Sequence, residues 1–293
     1  MENLSNDIIS IAVSAAGAEL QSLKHLPTDR ELLWQGDSRY WERRSPILFP
    51  AVGGLWNGTC RVGNEKHALP KHGFMRDKTW TLTQHSPQSL TYTYTDKGED
   101  RAAFPWNYEV SVTYTLQGTL VRAEFAVRNL SPTTMYFQMG GHPGFSLPDF
   151  DAANDGATDG YLRLEGHPHH VLRAGEQGCT IAATFPFPQT ADGLVPLSVA
   201  TFAEEALIFD GGQIERATLL DRQRRPIVSV KSTAPVWLFW APQGQHAPFV
   251  CAEPWYGLCD PIGFEGDVSQ RPYINRLEPG GTWNGGYDIE VLL

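Results

Sequence analysis

Cysteine is scarce in this sequence, and its spacing argues against a small cross-linked protein. The only four cysteines among 293 residues are Cys60, Cys179, Cys251 and Cys259. No two of them form a C-x-x-C pair, and their intervals match no common metal-binding spacing. A chain of this length can bury a core that needs neither a disulfide nor a structural metal. We therefore expect reduced thiols in an intracellular protein.

An excess of basic charge and long apolar runs are also missing. The chain has 23 Lys and Arg against 33 Asp and Glu, which gives a formal net charge of −10. Because this charge repels nucleic-acid phosphates and anionic lipid headgroups, we expect no nucleic-acid or membrane partner. Residues 1–7 are acidic, and the apolar stretch after them is too short for a signal peptide or a membrane span. A cytoplasmic location is the resulting expectation.

Helical periodicity and the common nucleotide and hydrolase motifs are absent as well. No window sustains an amphipathic helix of three turns. The sequence contains no P-loop, no G-x-G-x-x-G fingerprint, no G-x-S-x-G elbow and no H-E-x-x-H pair. These absences argue against nucleotide-binding folds, serine hydrolases of that type and zinc proteases.

Aromatic residues, glycine and proline are plentiful, which is typical of many short strands joined by turns. Alternating or apolar segments predict strands at residues 8–14, 19–24, 79–83, 90–95, 108–116, 120–127, 135–139, 161–164, 205–209, 217–220, 227–230, 235–240, 249–252 and 287–292. No internal repeat or linker marks a boundary. The sequence predicts one antiparallel β domain over residues 1–293, built as a large sandwich.

His142 stands out because of the residues around it. It follows a short predicted strand and the pair Gly140-Gly141, and it precedes Pro143. Glycines let a backbone bend or approach a ligand, and proline fixes φ, so the imidazole would sit at a strand end and face a cleft. Imidazole suits proton transfer near neutral pH. The alternative is a histidine in a turn whose hydrogen bonds are all to backbone.

Glu253 and His72 are the other two groups with possible chemistry. Glu253 ends an apolar predicted strand, and a carboxylate there is costly unless it is paired or functional. Trp255, close behind it, offers the flat apolar face on which sugar rings stack. His72 lies in a turn with Arg76 and Asp77. A salt-bridged glutamate and an ordinary polar turn remain the alternatives.

Two further clusters predict no metal site. His167, His169 and His170 share one loop and have no acidic or thiol partner at ligand spacing. The acidic stretch 149–159 lacks the ligand order of a calcium loop, so we interpret it as a surface loop. We therefore expect no metal and no cofactor.

Four segments, taken in order, resemble one family. They are residues 45–50 (SPILFP), 69–77 (LPKHGFMRD), 141–145 (GHPGF) and 249–255 (FVCAEPW). Together they are similar to the aldose 1-epimerase, or galactose mutarotase-like, family, and most similar to its LacX-type branch. The similarity extends to residues 277–281 near the end of the chain.

The resemblance implies a fold, a reaction and a set of roles. The fold would be a β-supersandwich, and the reaction would interconvert the α and β anomers of an aldohexose without a cofactor. Glu253 would be the base and His142 the acid, and His72 would help to hold the sugar. The remaining sugar-binding candidates are Arg76, Glu205, Trp255 and Arg44. The partner would be a small-molecule sugar, and the protein a monomer or a weak homodimer.

Two departures from the family pattern bear on the substrate. Gly54 stands where the family usually has an arginine, and Glu205 stands where it has an aspartate. The alternatives are therefore a mutarotase for a hexose 6-phosphate, bound by Arg43, Arg44 and Arg76, and a sugar-binding or sensing protein without turnover.

Overall fold

The computed structural model describes residues 1–154 and 156–293. Asp155, in the predicted acidic loop 149–159, lies outside the described residues. The strands are β1 Glu2–Ser5, β2 Ile9–Val13, β3 Leu20–His25, β4 Arg30–Glu31, β5 Ile47–Leu48, β6 Thr59–Val62, β7 Glu65–Ala68, β8 Thr81–His85, β9 Ser89–Thr95, β10 Tyr108–Gln117, β11 Leu120–Asn129, β12 Met135–Phe137, β13 Met139–Gly141, β14 Gly144–Ser146, β15 Tyr161–Gly166, β16 Val195–Pro196, β17 Leu207–Phe209, β18 Ile214–Leu220, β19 Pro226–Lys231, β20 Val236–Trp240, β21 Phe249–Tyr256, β22 Asn275–Leu277 and β23 Thr282–Val291.

Helical structure in the described residues is limited to short 3₁₀ turns. These are Leu26–Thr28, Trp56–Gly58, Met75–Asp77, Glu176–Gly178, Val199–Phe202 and Val268–Gln270. None of the helices in this part of the chain has the length and apolar character needed to cross a bilayer.

One long sheet forms a wall of the sandwich. Its strand order is β16-β15-β18-β19-β23-β11-β10-β9-β8, and the pairs are antiparallel. In β10, buried residues such as Val110 and Val112 alternate with partly exposed ones such as Ser111, because successive side chains of a strand point to opposite faces. β10 and β11 form a hairpin that turns at Gly118 (φ 59°). The predicted all-β antiparallel fold is confirmed.

A second sheet carries the site. Its order is β17-β20-β21-β13-β5, and β14 also pairs with β21. It packs on the long sheet through aromatic contacts: the ring centroids of Phe49, after β5, and Tyr108, in β10, are 5.1 Å apart. Trp237 of β20 is fully buried in the core, whereas Trp240 of the same strand is only partly buried.

Two predicted strands differ from the structure near the site. The predicted strand 135–139 is two strands in different sheets, β12 and β13, separated by Gln138. The buried Gln138 amide donates to the carbonyls of Leu258 (2.8 Å) and Pro272 (3.1 Å), so it anchors the chain where it changes sheets. The strand predicted to end just before Glu253 instead continues as β21 to Tyr256.

Candidate active site

A cleft of about 460 Å³ opens beside β21, within the size range of small-molecule sites. Its lining brings together six of the seven predicted site residues, namely His72, Arg76, His142, Glu205, Glu253 and Trp255. Strand β21 contributes Glu253 and Trp255, and the gap between β13 and β14 contributes His142.

His142 is positioned by a break in the sheet. β13 ends at Gly141 and β14 begins at Gly144, and both strands pair with β21. Between them, the Pro143 carbonyl accepts a hydrogen bond from the Ala252 amide (3.0 Å). Because alternate amides of a strand point the same way, the missing N–H of Pro254 also faces this break, where a proline costs no ladder hydrogen bond.

The glycines before His142 make room for aromatic side chains. A Cβ on Gly140 would lie 2.8 Å from Cδ1 of Trp255, and one on Gly141 would lie 2.3 Å from Cε1 of Tyr287. Neither glycine is among those with positive φ. Their small size therefore lets β13 pack closely on Trp255 and on the long sheet, in contrast to the predicted sharp bend or ligand approach.

Glu253 and His142 meet in the floor of the cleft. His142 Nε2 lies 3.2 Å from Glu253 Oε2, and the two side chains are 8% and 0% exposed. Three buried atoms have no hydrogen-bond partner among the described residues. They are the two carboxyl oxygens of Glu253 and Nδ1 of His142. Buried polar atoms normally have partners, so these three atoms are available to a ligand.

Burial moves the protonation of both groups toward neutrality. Loss of solvent raises the pKa of Glu253 well above its ordinary value, and the positive charge of Lys71 and the nearby Trp255 indole oppose this only in part. Loss of solvent lowers the pKa of His142 to about 3, and Arg76, Lys71 and Arg43 add to the effect. Burial therefore favours the neutral forms of both groups, an imidazole beside a protonated carboxyl with one proton to transfer between them.

His72 is held by the backbone of Gly53. Its Nδ1 accepts a hydrogen bond from the Gly53 amide (3.1 Å), and its own amide donates to the Gly53 carbonyl (3.0 Å). Burial keeps the pKa of His72 well below its usual value, and the second-largest cause is the nearby His142. A neutral ring that accepts at Nδ1 carries its proton on Nε2. His72 can therefore donate a hydrogen bond into the cleft, 5.5 Å from His142 between ring centroids.

Indole rings form the apolar walls. Trp41 stacks on the His142 ring at 4.8 Å between centroids and 27° between planes. Trp240 meets the same ring edge-on at 6.0 Å, and Trp255 contacts His72 at 5.6 Å. Trp41 was not among the predicted site residues, since nothing in its local sequence indicates contact with His142.

Two cations line the cleft, and one of them was not predicted. Lys71 lies directly before His72 and lines the cleft with Arg76, whose Nη2 donates to the Lys71 carbonyl (3.0 Å). Arg43 lies outside the lining and pairs with Asp77 at 2.6 Å. An exposed lysine carries little sequence signal, so only its position beside His72 could have indicated a role.

Arg44 is the predicted site residue that the structure does not bring to the cleft. Its Nη1 donates to Gln21 (2.8 Å), and its amide donates to the buried Glu19 carboxylate (2.8 Å). These contacts hold Arg44 beside β3, outside the residues that line the cleft.

Glu205 reaches the cleft from an unusual backbone conformation. It has φ of 71°, a left-handed region that costs a non-glycine residue roughly 1–2 kcal/mol. It directly precedes Ala206, which also lines the cleft, and β17 begins at Leu207. A strained residue that faces a cleft is a reasonable candidate for function.

Backbone occupies the space beside Gly54. A Cβ there would lie 2.2 Å from the Gln177 carbonyl oxygen and 2.8 Å from that of Gly178. The Gly54 amide donates to the Gly178 carbonyl (3.3 Å), so this turn and residues 176–178 pack directly together. The chain therefore has no room for an arginine side chain at this position.

One cluster in the described part of the chain could hold a metal ion. His142, Cys251 and Glu253 each present a ligand atom, and these atoms lie within 4.8 Å of one another. In the His167–His170 loop, His170 Nε2 instead lies 3.1 Å from Asp210, and His169 Nδ1 lies 2.8 Å from the His167 carbonyl.

The antiparallel sandwich and its His–Glu cleft define a galactose mutarotase-like protein. Residues 3–289 match the sequence profile of the family described as Aldose 1-epimerase, and the chain belongs to this family. The resemblance in the four sequence segments is thereby confirmed.

Relatives match along nearly the whole chain. Protein LacX (plasmid) of Lactococcus lactis subsp. lactis is 26% identical over 308 aligned residues, covering 99% of this chain and 98% of that protein. The crystal structure of a galactose mutarotase related enzyme from Lactobacillus acidophilus has a TM-score of 0.89 at 30% identity, covering 99% and 96%. A galactose mutarotase-like protein from Lactobacillus casei ATCC 334 has a TM-score of 0.92 at 26% identity, covering 99% of each chain.

Proposed function

We propose that this protein is an aldose 1-epimerase that interconverts the α and β anomers of an aldohexose. The observation that carries the proposal is the buried contact of 3.2 Å between His142 Nε2 and Glu253 Oε2 in a cleft of about 460 Å³. Anomer exchange needs a base for the C1 hydroxyl and an acid for the ring oxygen, and both of these oxygens are bonded to the same carbon. Two adjacent proton-transfer groups suit this geometry.

The reaction uses the one proton that the pair holds. Transfer from Glu253 to His142 leaves a carboxylate and an imidazolium. The carboxylate removes the proton of the C1 hydroxyl, C1 becomes a carbonyl, the bond from C1 to the ring oxygen breaks, and His142 protonates that oxygen. Rotation about C1–C2 and the reverse steps give the other anomer. Atoms and electrons balance in this cycle. Each proton-transfer partner accelerates the exchange by about 10²–10⁴-fold.

The other cleft residues bind and orient the sugar in this proposal. His72 donates its Nε2–H toward the ring oxygen or a neighbouring hydroxyl, and Glu205 and Arg76 bind hydroxyls. Trp255 offers an apolar face to the ring. Trp41, stacked on His142, holds the imidazole plane against the cleft.

The deciding experiment measures anomer exchange by NMR saturation transfer on glucose and galactose. We expect the wild type to accelerate exchange and both His142→Ala and Glu253→Gln to lose about 10²-fold or more while sugar binding persists. Glu215→Gln, an exposed substitution on β18, is the matched control. Wild-type protein that binds sugar without exchange would instead support the sensing alternative.

A second candidate is exchange on a hexose 6-phosphate. Lys71 and Arg76 line the cleft, and neither forms an ion pair with a carboxylate among the described residues, so both charges are free to meet an anion. Glu205 lines the same cleft with the opposite charge, which is why the neutral sugar remains the leading proposal.

The two substrates can be separated through Lys71. If Lys71 binds the phosphate, Lys71→Gln raises the KM for the 6-phosphate about tenfold. Added salt raises this KM for the wild type as well, because it screens the charges. The exchange of glucose changes little in either case. Lys66→Gln, an exposed lysine on β7, is the control. Equal effects on both sugars would remove the second candidate.

Metal removal provides a further check. Since the proposed steps use only protein side chains, exhaustive treatment with a chelator should leave the exchange rate unchanged. A rate that falls with the chelator and returns with added metal would contradict this mechanism.

A further inference from the structure

Cys251 lies beside the proton-transfer pair and has no part in the proposed reaction. It stands two residues before Glu253 in β21, and residues two apart in a strand face the same side. Its side chain is 0% exposed and packs with Trp34, Ala247 and Phe249. Its thiol is therefore the apolar neighbour of the His142–Glu253 contact.

The three side chains form a compact set of donors. Nitrogen, sulfur and oxygen ligand atoms of His142, Cys251 and Glu253 lie within 4.8 Å of one another, and one pair is 3.2 Å apart. Zinc binds these atom types at about 2.0–2.3 Å, so the three atoms would have to move closer by side-chain rotation to share one ion.

Buried polar atoms without hydrogen-bond partners also support a coordination site here. Both oxygens of Glu253 are buried and complete no hydrogen bond within the described residues. His142 and Glu253 line the cleft, whereas Cys251 is not among the lining residues. An ion at this position would be reached from the cleft and would keep its fourth position toward it, as open zinc sites do.

We propose that His142, Cys251 and Glu253 form an inhibitory site for a thiophilic divalent cation of the zinc and cadmium class. Binding releases the protons of the thiol and the carboxyl to solvent and forms bonds from the ion to sulfur, nitrogen and oxygen. Sulfur favours Zn²⁺ and Cd²⁺ over Mg²⁺ and Ca²⁺. Inhibition rests on the proposed function, because the ion occupies the groups that would move the proton.

The binding test is spectroscopic and does not need activity. The wild type is titrated with Cd²⁺ while the ultraviolet cadmium–thiolate charge-transfer band is recorded. We expect one Cd²⁺ per chain with the band in the wild type, and no band in Cys251→Ser or in Cys251→Ala, which guards against a serine variant that fails to fold. Cys60→Ser, at another buried cysteine, keeps the band, and Mg²⁺ produces none.

The inhibition test follows anomer exchange during Zn²⁺ titration, with each variant compared with its own metal-free rate. Sensitivity of Cys251→Ser should fall about tenfold or more, since even the loss of a group that supports a metal ligand costs 10–100-fold. Saturating sugar should suppress the Cd²⁺ band of the wild type.

Several results would overturn the site. These are no band in the wild type, a band that survives in both Cys251 variants, a band lost in Cys60→Ser, or equal inhibition by Mg²⁺. If the wild type shows no exchange, the proposed function fails, whereas the Cd²⁺ titration still decides the metal site.

Discussion

Glu253 is a buried carboxyl group, and its effect on the free energy of unfolding depends on pH. It is fully buried, and its oxygens complete no hydrogen bond in the described structure. Below the ordinary carboxyl pKa of 4.5, folded and unfolded chains both keep the proton. Above it the unfolded chain releases the proton, whereas the folded chain retains it because burial raises the pKa. Stability therefore falls as pH rises through this window.

Glu253→Gln should remove this dependence. The amide has nearly the same shape and no charge, so we expect a gain of about 1–3 kcal/mol at pH 7.5 that vanishes at pH 4. Denaturant melts of both proteins at the two pH values measure the difference. The low pKa of His142 destabilises the wild type and the variant equally in acid. It therefore does not contribute to the difference between their free energies of unfolding. A gain of equal size at both pH values would refute the argument from the raised pKa.

Two substitutions at Glu205 distinguish the effect of its backbone on stability from the effect of its carboxylate on sugar binding. Its left-handed backbone favours glycine, so Glu205→Gly should be more stable than Glu205→Ala by about 1 kcal/mol. Both variants remove the carboxylate, so both should raise the KM for the sugar to the same extent. Thermal melts and exchange kinetics provide the two measurements. Equal stability of the two variants would mean that the backbone strain is absent.

At the residue scale, the order of motifs predicted most of the cleft, and local chemistry explains what it missed. His72, His142 and Glu253 stand in segments rich in glycine and proline, which mark them in the sequence. Lys71 lies in the same segment as His72, but an exposed lysine there carries little signal of its own, and Trp41 lies outside these segments. Their place in the cleft depends on tertiary contacts such as the stacking of Trp41 on His142.

At the element scale, the close packing of Gly54 on residues 176–178 is testable. Gly54→Arg restores the residue usual in the family, yet its Cβ would lie 2.2 Å from a backbone oxygen. We expect a loss of about 1–3 kcal/mol, typical of overpacking, and no gain in exchange rate. Denaturant melts and the exchange assay measure these effects.

Gly156→Arg is the matched control, because none of the described residues has an atom within 4 Å of a Cβ at that glycine. It should change stability little. Faster exchange in Gly54→Arg at wild-type stability would show that the turn can open to accept the side chain.

Long strands were predicted well, and short ones were not. β10 and β11 alternate buried and exposed residues over ten positions each, which gives a strong periodic signal. β5 has only two residues, both buried, and two residues cannot show a period. The change of sheet at Gln138 depends on hydrogen bonds to Leu258 and Pro272, which are far away in the sequence.

At the scale of the whole molecule, the exposed apolar surface is scattered. The large hydrophobic residues that the described structure exposes are Met1, Leu26, Leu130, Ile181, Ile262, Tyr273 and Leu293. Ile181 and Ile262 adjoin, since both lie near Gly175. Stable interfaces bury roughly 1,200–2,000 Å² in total, and isolated side chains do not provide this area.

We therefore expect a monomer in solution, as the first of the two oligomeric states inferred from the sequence. Sedimentation velocity across a hundredfold concentration range should give one species near 32.6 kDa. Ile262→Lys should leave the sedimentation unchanged. A dimer that this variant dissociates would identify the Ile181–Ile262 surface as an interface.

The fold class followed from composition and alternation, but the meeting of distant groups did not. Nothing in the spacing of His142 and Glu253 places them 3.2 Å apart. That contact exists because β13 and β14 pair with opposite ends of β21, which is a property of the sheet as a whole. Only the family resemblance anticipated it.

The indole rings around the cleft are also intrinsic fluorophores. Trp41, Trp240 and Trp255 all line it, and Trp41 stacks on the imidazole that changes protonation in the proposed reaction. A ligand that enters, or a proton that arrives on His142, alters the surroundings of these fluorophores directly. Occupancy can therefore be followed by tryptophan emission in the native chain, with no attached dye and no coupled assay.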